Sequence, residues 1–182
     1  MEIRKEITTT ESKIVYQNRW MRVREDKIIR ENGSDGIYGV VEKKDFATIV
    51  PIINSKMILV EQYRYPIAAR YWEFPQGSWE DMEITPENLA RAELKEETGY
   101  IANKIEKIGH LYVACGYSNQ GYSIFVAREL VQTQTNLDPE EVGLVAKEFD
   151  ITSVEHMILE NKIKDAATVA AFGLLKMRGI IS

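Results

Sequence analysis

The stretch Thr85-Pro86-Glu87-Asn88-Leu89-Ala90-Arg91-Ala92-Glu93-Leu94-Lys95-Glu96-Glu97-Thr98-Gly99 constrains the fold more than any other part of the chain. Threonine before proline is a helix start, because the hydroxyl caps a free amide and proline suits the first turn. Gly99 is a natural stop. The spacing predicts a helix from Pro86 to Thr98. At about 100° per residue, Leu89, Ala90 and Leu94 share one stripe, and Glu93 and Glu97 fall in the middle of it, with Glu96 at its edge. Arg91, Lys95 and Thr98 point to the other side. A carboxylate turned toward a core is costly to ionise unless a cation or hydrogen bonds compensate it. Glu93 and Glu97, at i and i+4, repel rather than pair. A solvated face laced with ion pairs is the alternative, but the apolar stripe favours a divalent-metal site. Carboxylates without Cys or His select a hard ion such as magnesium or manganese.

Strand signals surround this helix. Ala47–Ile53 and Met57–Val60 read as strands around a tight turn at Asn54-Ser55-Lys56, and Leu111–Cys115 and Tyr122–Ala127 continue the pattern. The last part of the chain reads as helices, Ser153–Glu160 and Ala166–Met177, the second stopped by Gly179. Residues 1–43 differ in texture, being polar and mixed, with Tyr16, Trp20 and Tyr38 and a turn signal at Asn32–Gly36. An N-terminal β subdomain over 1–43 and a main domain over 44–182 follow. With 45% hydrophobic residues in 182, disorder is excluded and a real core is expected.

Charge narrows the partners. Against 23 Lys and Arg stand 28 Asp and Glu, a net −5, which argues against a broad nucleic-acid footprint but not against phosphates screened by a divalent ion. The start, Met1-Glu2-Ile3-Arg4-Lys5-Glu6, has no apolar core, and no apolar run approaches the ~20 residues of a membrane span. A cytoplasmic protein with no membrane or nucleic-acid partner is expected. The lone Cys115 can form no internal disulfide and reads as a small buried hydrophobe, while His110 and His156 lie in no ligand spacing.

The run from Gly77-Ser78-Trp79 through Ala92-Glu93-Leu94-Lys95-Glu96-Glu97-Thr98-Gly99-Tyr100 resembles the Nudix box, G-x(5)-E-x(7)-R-E-U-x-E-E-x-G-U with U aliphatic. Two features depart from it. The Gly77-to-Gly99 spacing is one residue longer, and Ala92 stands where the arginine should precede Glu93; Arg91, a 100° rotation away, is no direct substitute. Val60-Glu61-Gln62-Tyr63-Arg64-Tyr65-Pro66 and Tyr71-Trp72-Glu73-Phe74-Pro75-Gln76-Gly77 are similar to the approach to the box in ADP-ribose pyrophosphatases and related nucleoside diphosphate sugar hydrolases. So is Asn161-Lys162-Ile163-Lys164-Asp165-Ala166-Ala167-Thr168. The likeness is close over 58–100 and loose over 38–178.

The resemblance implies an α/β fold, an α/β/α sandwich around a mixed sheet, with a small N-terminal antiparallel element that builds a homodimer. It implies Glu93 and Glu97 as metal ligands, Glu96 as a third carboxylate for a further ion or for catalysis, and the backbone carbonyl of Gln76 completing the sphere of magnesium or manganese. The branch often draws its base from an acidic loop after the box. Here that loop is Asp138-Pro139-Glu140-Glu141, with Glu141 favoured over Glu140. Arg64 is a phosphate ligand or a structural ion-pair partner of Glu73, and Glu73 a substrate or metal ligand. Trp20 is a base-stacking platform supplied across a dimer, or a core aromatic. The implied reaction is hydrolysis of a nucleoside diphosphate sugar, a small-molecule substrate, to a nucleoside monophosphate and a sugar phosphate. A narrower ADP-ribose signature has proline where this chain has Cys115-Gly116, which leaves room for GDP-mannose and ADP-glucose. Alternatives are hydrolysis of nucleoside triphosphates, dinucleoside polyphosphates or capped RNA, or a sensor that binds a nucleotide sugar without cleaving it.

Overall fold

A computed structural model describes residues 6–79, 83–134 and 143–182 in two compact units. The smaller unit holds the described residues through Asp45 together with Tyr112–Gly121. Its three strands, β1 (Ile7–Gln17), β2 (Arg22–Arg30) and β3 (Asp35–Glu42), form an antiparallel sheet in chain order. The turn between β2 and β3 uses Gly33 at φ +80°, with Asn32 Oδ1 accepting the Ser34 amide at 3.0 Å. Asp26 and Ile28 are buried on one face of β2, and Arg24 bridges Asp26 to Glu42 on β3. Alongside β3, the Val41 amide donates to Tyr117 O at 2.8 Å, and Ser118 Oγ donates to Val41 O at 2.9 Å. Cys115 is exposed here rather than buried. The strand expected over Leu111–Cys115 ends at Tyr112, because the Tyr117 and Ser118 amides turn back onto Ala114 O.

The larger unit, Phe46–Leu111 and Tyr122–Ser182, is built on a mixed sheet. β4 (Phe46–Ile53) and β5 (Lys56–Arg64) flank the turn at Asn54 and Ser55, both in left-handed conformations, φ 48° and 62°, as a tight hairpin between right-twisted strands requires. β6 (Ala69–Glu73), β7 (Gln76–Gly77), β8 (Tyr100–Tyr112), β9 (Gly121–Gln132) and β10 (Val145–Asp150) complete it in the order β10-β5-β4-β9-β8, with β6 on β5 and β7 on β4. β4 and β9 run parallel, and six consecutive β4 residues are buried, the signature of a strand covered on both faces.

The two faces have separate cores. Val50, Ile52, Ile124 and Val126 face α2 (Ile151–Leu159) and α3 (Ala166–Met177), while Ala47, Ile49, Phe125 and Ala127 face Leu89, Ala90 and Leu94 of α1 (Pro86–Thr98). Strand alternation assigns these sets. β5 keeps β4 for only two pairs, Ile52↔Met57 and Ile53↔Lys56, then takes β6 instead. That divergence leaves the start of β4 to β7, and the site lies there.

Candidate active site

α1 forms as its caps dictate. Thr85 Oγ1 accepts the Asn88 amide at 3.3 Å, Pro86 opens the first turn, and Gly99, at φ 73°, ends the helix with its amide on Lys95 O. The buried stripe is Leu89, Ala90, Glu93, Leu94, Glu97 and Thr98. Glu93 is 5% exposed and Glu97 1%. Thr98, expected on the outer face, is buried because its hydroxyl folds back onto Leu94 O.

Both carboxylates meet β7. The Gln76 amide donates to Glu97 Oε2 at 3.1 Å. Beside it, Gly77 gives way to the other glutamate: a Cβ there would lie 2.5 Å from Glu93 Cδ and 2.6 Å from Oε1. Any larger residue would push the Glu93 carboxylate out of its place, so the box glycine makes space for it. The register Ala47↔Gly77 and Thr48↔Gln76, with the Ile49 amide on Pro75 O at 2.9 Å, makes Thr48 and Gln76 a non-hydrogen-bonded pair. The Gln76 N–H and C=O therefore turn away from β4, to the edge where Glu97 sits. Oxygen donors at such an edge, two carboxylates and a main-chain carbonyl, fit a hard divalent ion. Among the described residues no three Asp, Glu, His or Cys side chains form a ready ligand group.

A second cluster lies on β5 and β6. Glu73 is 2% exposed, and Arg64 Nη2 and Nε donate to its two oxygens at 2.5 and 3.4 Å, with Gln62 Nε2 on Oε1 at 2.9 Å. Register explains the meeting: Val60 opposes Glu73 and Arg64 opposes Ala69, so Gln62, Arg64 and Glu73 share a face. Burial pushes the Glu73 carboxyl above its ordinary range, opposed by the Arg64 charge and hydrogen bond and by Gln62, and reinforced by Asp165. Asp165 caps α3, accepting the Thr168 amide at 2.7 Å, and Thr168 Oγ1 accepts the Phe74 amide at 2.9 Å. The C-terminal segment thus pins the chain between Glu73 and Gln76.

Of the residues the sequence singles out, Glu93, Glu97 and Gln76 come together, and Arg64 pairs with Glu73. Glu96 is half-buried on α1. Arg91 is committed elsewhere, to Glu87 at 2.9 Å and Ala102 O at 2.7 Å, as its rotation predicts. Trp20 belongs to the smaller unit and is 47% exposed, so it is no core aromatic; Asn18 Oδ1 holds its turn by accepting the Trp20 and Met21 amides. Glu140 and Glu141 lie outside the described residues. His156 turns its ring onto Thr152 O within α2. Sequence reading passes over Thr48, whose hydroxyl donates to Gln76 Oε1 at 3.1 Å; its signal is a lone polar residue inside an apolar strand. It also passes over Gln62, Asp165 and Thr168 as partners of the Glu73 segment.

Residues 43–172 match the NUDIX domain. The chain belongs to the Nudix family. This Nudix hydrolase also matches the nucleoside diphosphate sugar hydrolase N-terminal domain over residues 7–41. It is 29% identical over 150 residues to an ADP-ribose pyrophosphatase of Bacillus subtilis (strain 168), covering 81% of this chain and 80% of that one. It is 29% identical over 186 residues to an ADP-sugar pyrophosphatase of Mus musculus, covering 91% and 85%. A GDP-mannose pyrophosphatase of Yersinia enterocolitica is 24% identical over 172 residues, covering 85% and 86%. A crystal structure of an ADP compounds hydrolase shares the fold at a TM-score of 0.85 over 100% of both chains, at 23% identity. The expected α/β fold with its small N-terminal antiparallel sheet is thus borne out. No helix among the described residues is long and apolar enough to cross a membrane.

Proposed function

We propose that this Nudix hydrolase cleaves the pyrophosphate bond of nucleoside diphosphate sugars, of the ADP-ribose, ADP-glucose and GDP-mannose type, with magnesium or manganese. The observation that carries the reading is the meeting of Glu93 and Glu97 with the Gln76–Gly77 main chain in a Nudix domain that follows a nucleoside diphosphate sugar hydrolase N-terminal domain. Glu93, Glu97 and the Gln76 carbonyl hold the ion, with Glu96 as the further carboxylate. Magnesium is commonly bound through one or two carboxylates, the rest of its sphere being water and substrate phosphate, so few protein ligands suffice. A divalent ion bound there neutralises phosphoryl charge and helps orient water. Arg64 binds a substrate phosphate through its outer edge while Glu73 fixes its fork, Trp20 of a second copy of the chain stacks on the base, and Glu141, with Glu140 second, takes the proton from water. The net −5 of the chain weighs against a nucleic-acid partner.

A homodimer formed through the smaller unit belongs to the same reading. All 11 residues of β1 are exposed, Ile14, Val15 and Tyr16 among them, along an open sheet edge that a second copy would cover.

Incubation with ADP-ribose, ADP-glucose, GDP-mannose and nucleoside triphosphates, with magnesium or with a chelator, followed by chromatography, tests this. Nucleoside monophosphate from the sugars, lost with the chelator, is the expected result. Release from triphosphates alone would replace the substrate class, and saturable binding without product would make the protein a sensor.

A further inference from the structure

Thr48 and Gln76 carry a bond that the reaction chemistry does not require. Thr48 is fully buried on β4, on the face of Val50 and Ile52, where a hydroxyl gains nothing unless it is used. It donates to Gln76 Oε1 at 3.1 Å across the strand pair, where opposed side chains lie closest. The Gln76 amide donates on the opposite edge, to Glu97 Oε2. β7 is only two residues long, so ladder bonds alone hold it weakly.

We propose that the Thr48 side chain and the Gln76 carboxamide form a clamp that sets the Gln76 backbone against Glu97, making Thr48 and the Gln76 side chain positioning residues of this site. The clamp fixes the strand from the side away from the carboxylates. A change in the Gln76 backbone torsions would take its N–H off Glu97 and turn its carbonyl off the same edge, and the side-chain bond opposes that change. A consequence, which rests on the metal reading above, is that loosening the clamp weakens divalent-ion binding before it touches chemistry at saturating ion. The clamp itself does not depend on that reading.

The test has two arms, each using the full-length protein. In the first, amide hydrogen exchange over residues 74–79 is followed in metal-free wild type, Thr48→Val, Gln76→Ala, the double variant and Thr48→Ser. Thr48→Val and Gln76→Ala should each speed Gln76 exchange by about tenfold, in line with loss of one side-chain hydrogen bond. The double variant should go no further, because both changes remove the same bond. Thr48→Ser, which keeps the hydroxyl, should restore protection. Exchange in α3 serves as the control for general loosening and should hold. In the second, the manganese dissociation constant is read from the free-ion paramagnetic resonance signal, and should rise about tenfold in Thr48→Val and return in Thr48→Ser. Unchanged Gln76 exchange in Thr48→Val, or equal speeding in α3, would overturn the clamp. Wild type that binds no manganese would overturn the metal reading instead, with the exchange arm still deciding the clamp.

Discussion

Glu73 and Glu97 are 2% and 1% exposed, yet the protein compensates them in different ways. Glu73 receives side chains: a guanidinium and a carboxamide from β5, aligned by register. Glu97 receives a main-chain amide from a two-residue strand, and its neighbour Glu93 gains room because position 77 has no Cβ. The first arrangement neutralises a charge with a cation the chain carries itself. The second sets two carboxylates, on adjacent turns of one helix, at an edge of backbone. The larger unit thus buries one carboxylate against cationic and amide side chains and sets two others against a strand's main chain, the arrangement on which the proposed ion site rests.

Three substitutions test that difference. The largest effect belongs to Glu97→Gln, which can still accept the Gln76 amide and so keeps the local hydrogen bond while losing the charge. Turnover should fall about 10²- to 10³-fold, the size of losing several kcal/mol of charge stabilisation, with the thermal midpoint held or raised. Full activity in this variant, measured at saturating magnesium, would dissolve the contrast. Next comes Gly77→Ala. Its φ is unexceptional, so the penalty is the collision of the new Cβ with the Glu93 carboxylate. Overpacking of this kind costs about 1–3 kcal/mol, and ion affinity should fall about tenfold or more. Calorimetry of manganese binding beside a denaturant titration separates the two losses.

The smallest effect is a slope. Burial raises the Glu73 carboxyl above 4.5, so between 4.5 and its folded value the native state holds a proton that the unfolded chain has released. Stability from this group therefore falls as pH rises through that window, and the cost is fully present above it. Glu73→Gln cannot ionise, so its stability relative to wild type should climb from pH 4.5 toward neutrality. A relative stability that is flat or declines with pH would show that Arg64 and Gln62 outweigh burial.

Much of α1 is legible in the sequence because a helix writes its faces into local spacing. Thr85, Pro86 and Gly99 bound it, and the 3.6-residue period alone puts Glu93 and Glu97 among leucines and alanine. The strands Ala47–Ile53 and Tyr122–Ala127 were equally legible from their apolar runs. Cys115 was not, because exposure of a small apolar residue depends on what packs against it, and here the chain turns at Ala114. Thr98 reversed its expected side for a similar reason: its hydroxyl found Leu94 O within the same helix.

The capped helix, its misplaced carboxylates, the hairpin at Asn54 and Ser55 and the family are all written in the chain's local order. All of these rest on residues close together in the chain, where torsional preference and periodicity act. Folding had to bring Thr48 to Gln76, choose Glu73 for Arg64, and place Thr168, 94 residues beyond Phe74, where it accepts the Phe74 amide. Those partners meet through strand register and the divergence of β4 from β5. Register is set by burying two cores at once, a property of the whole sheet that no local window contains.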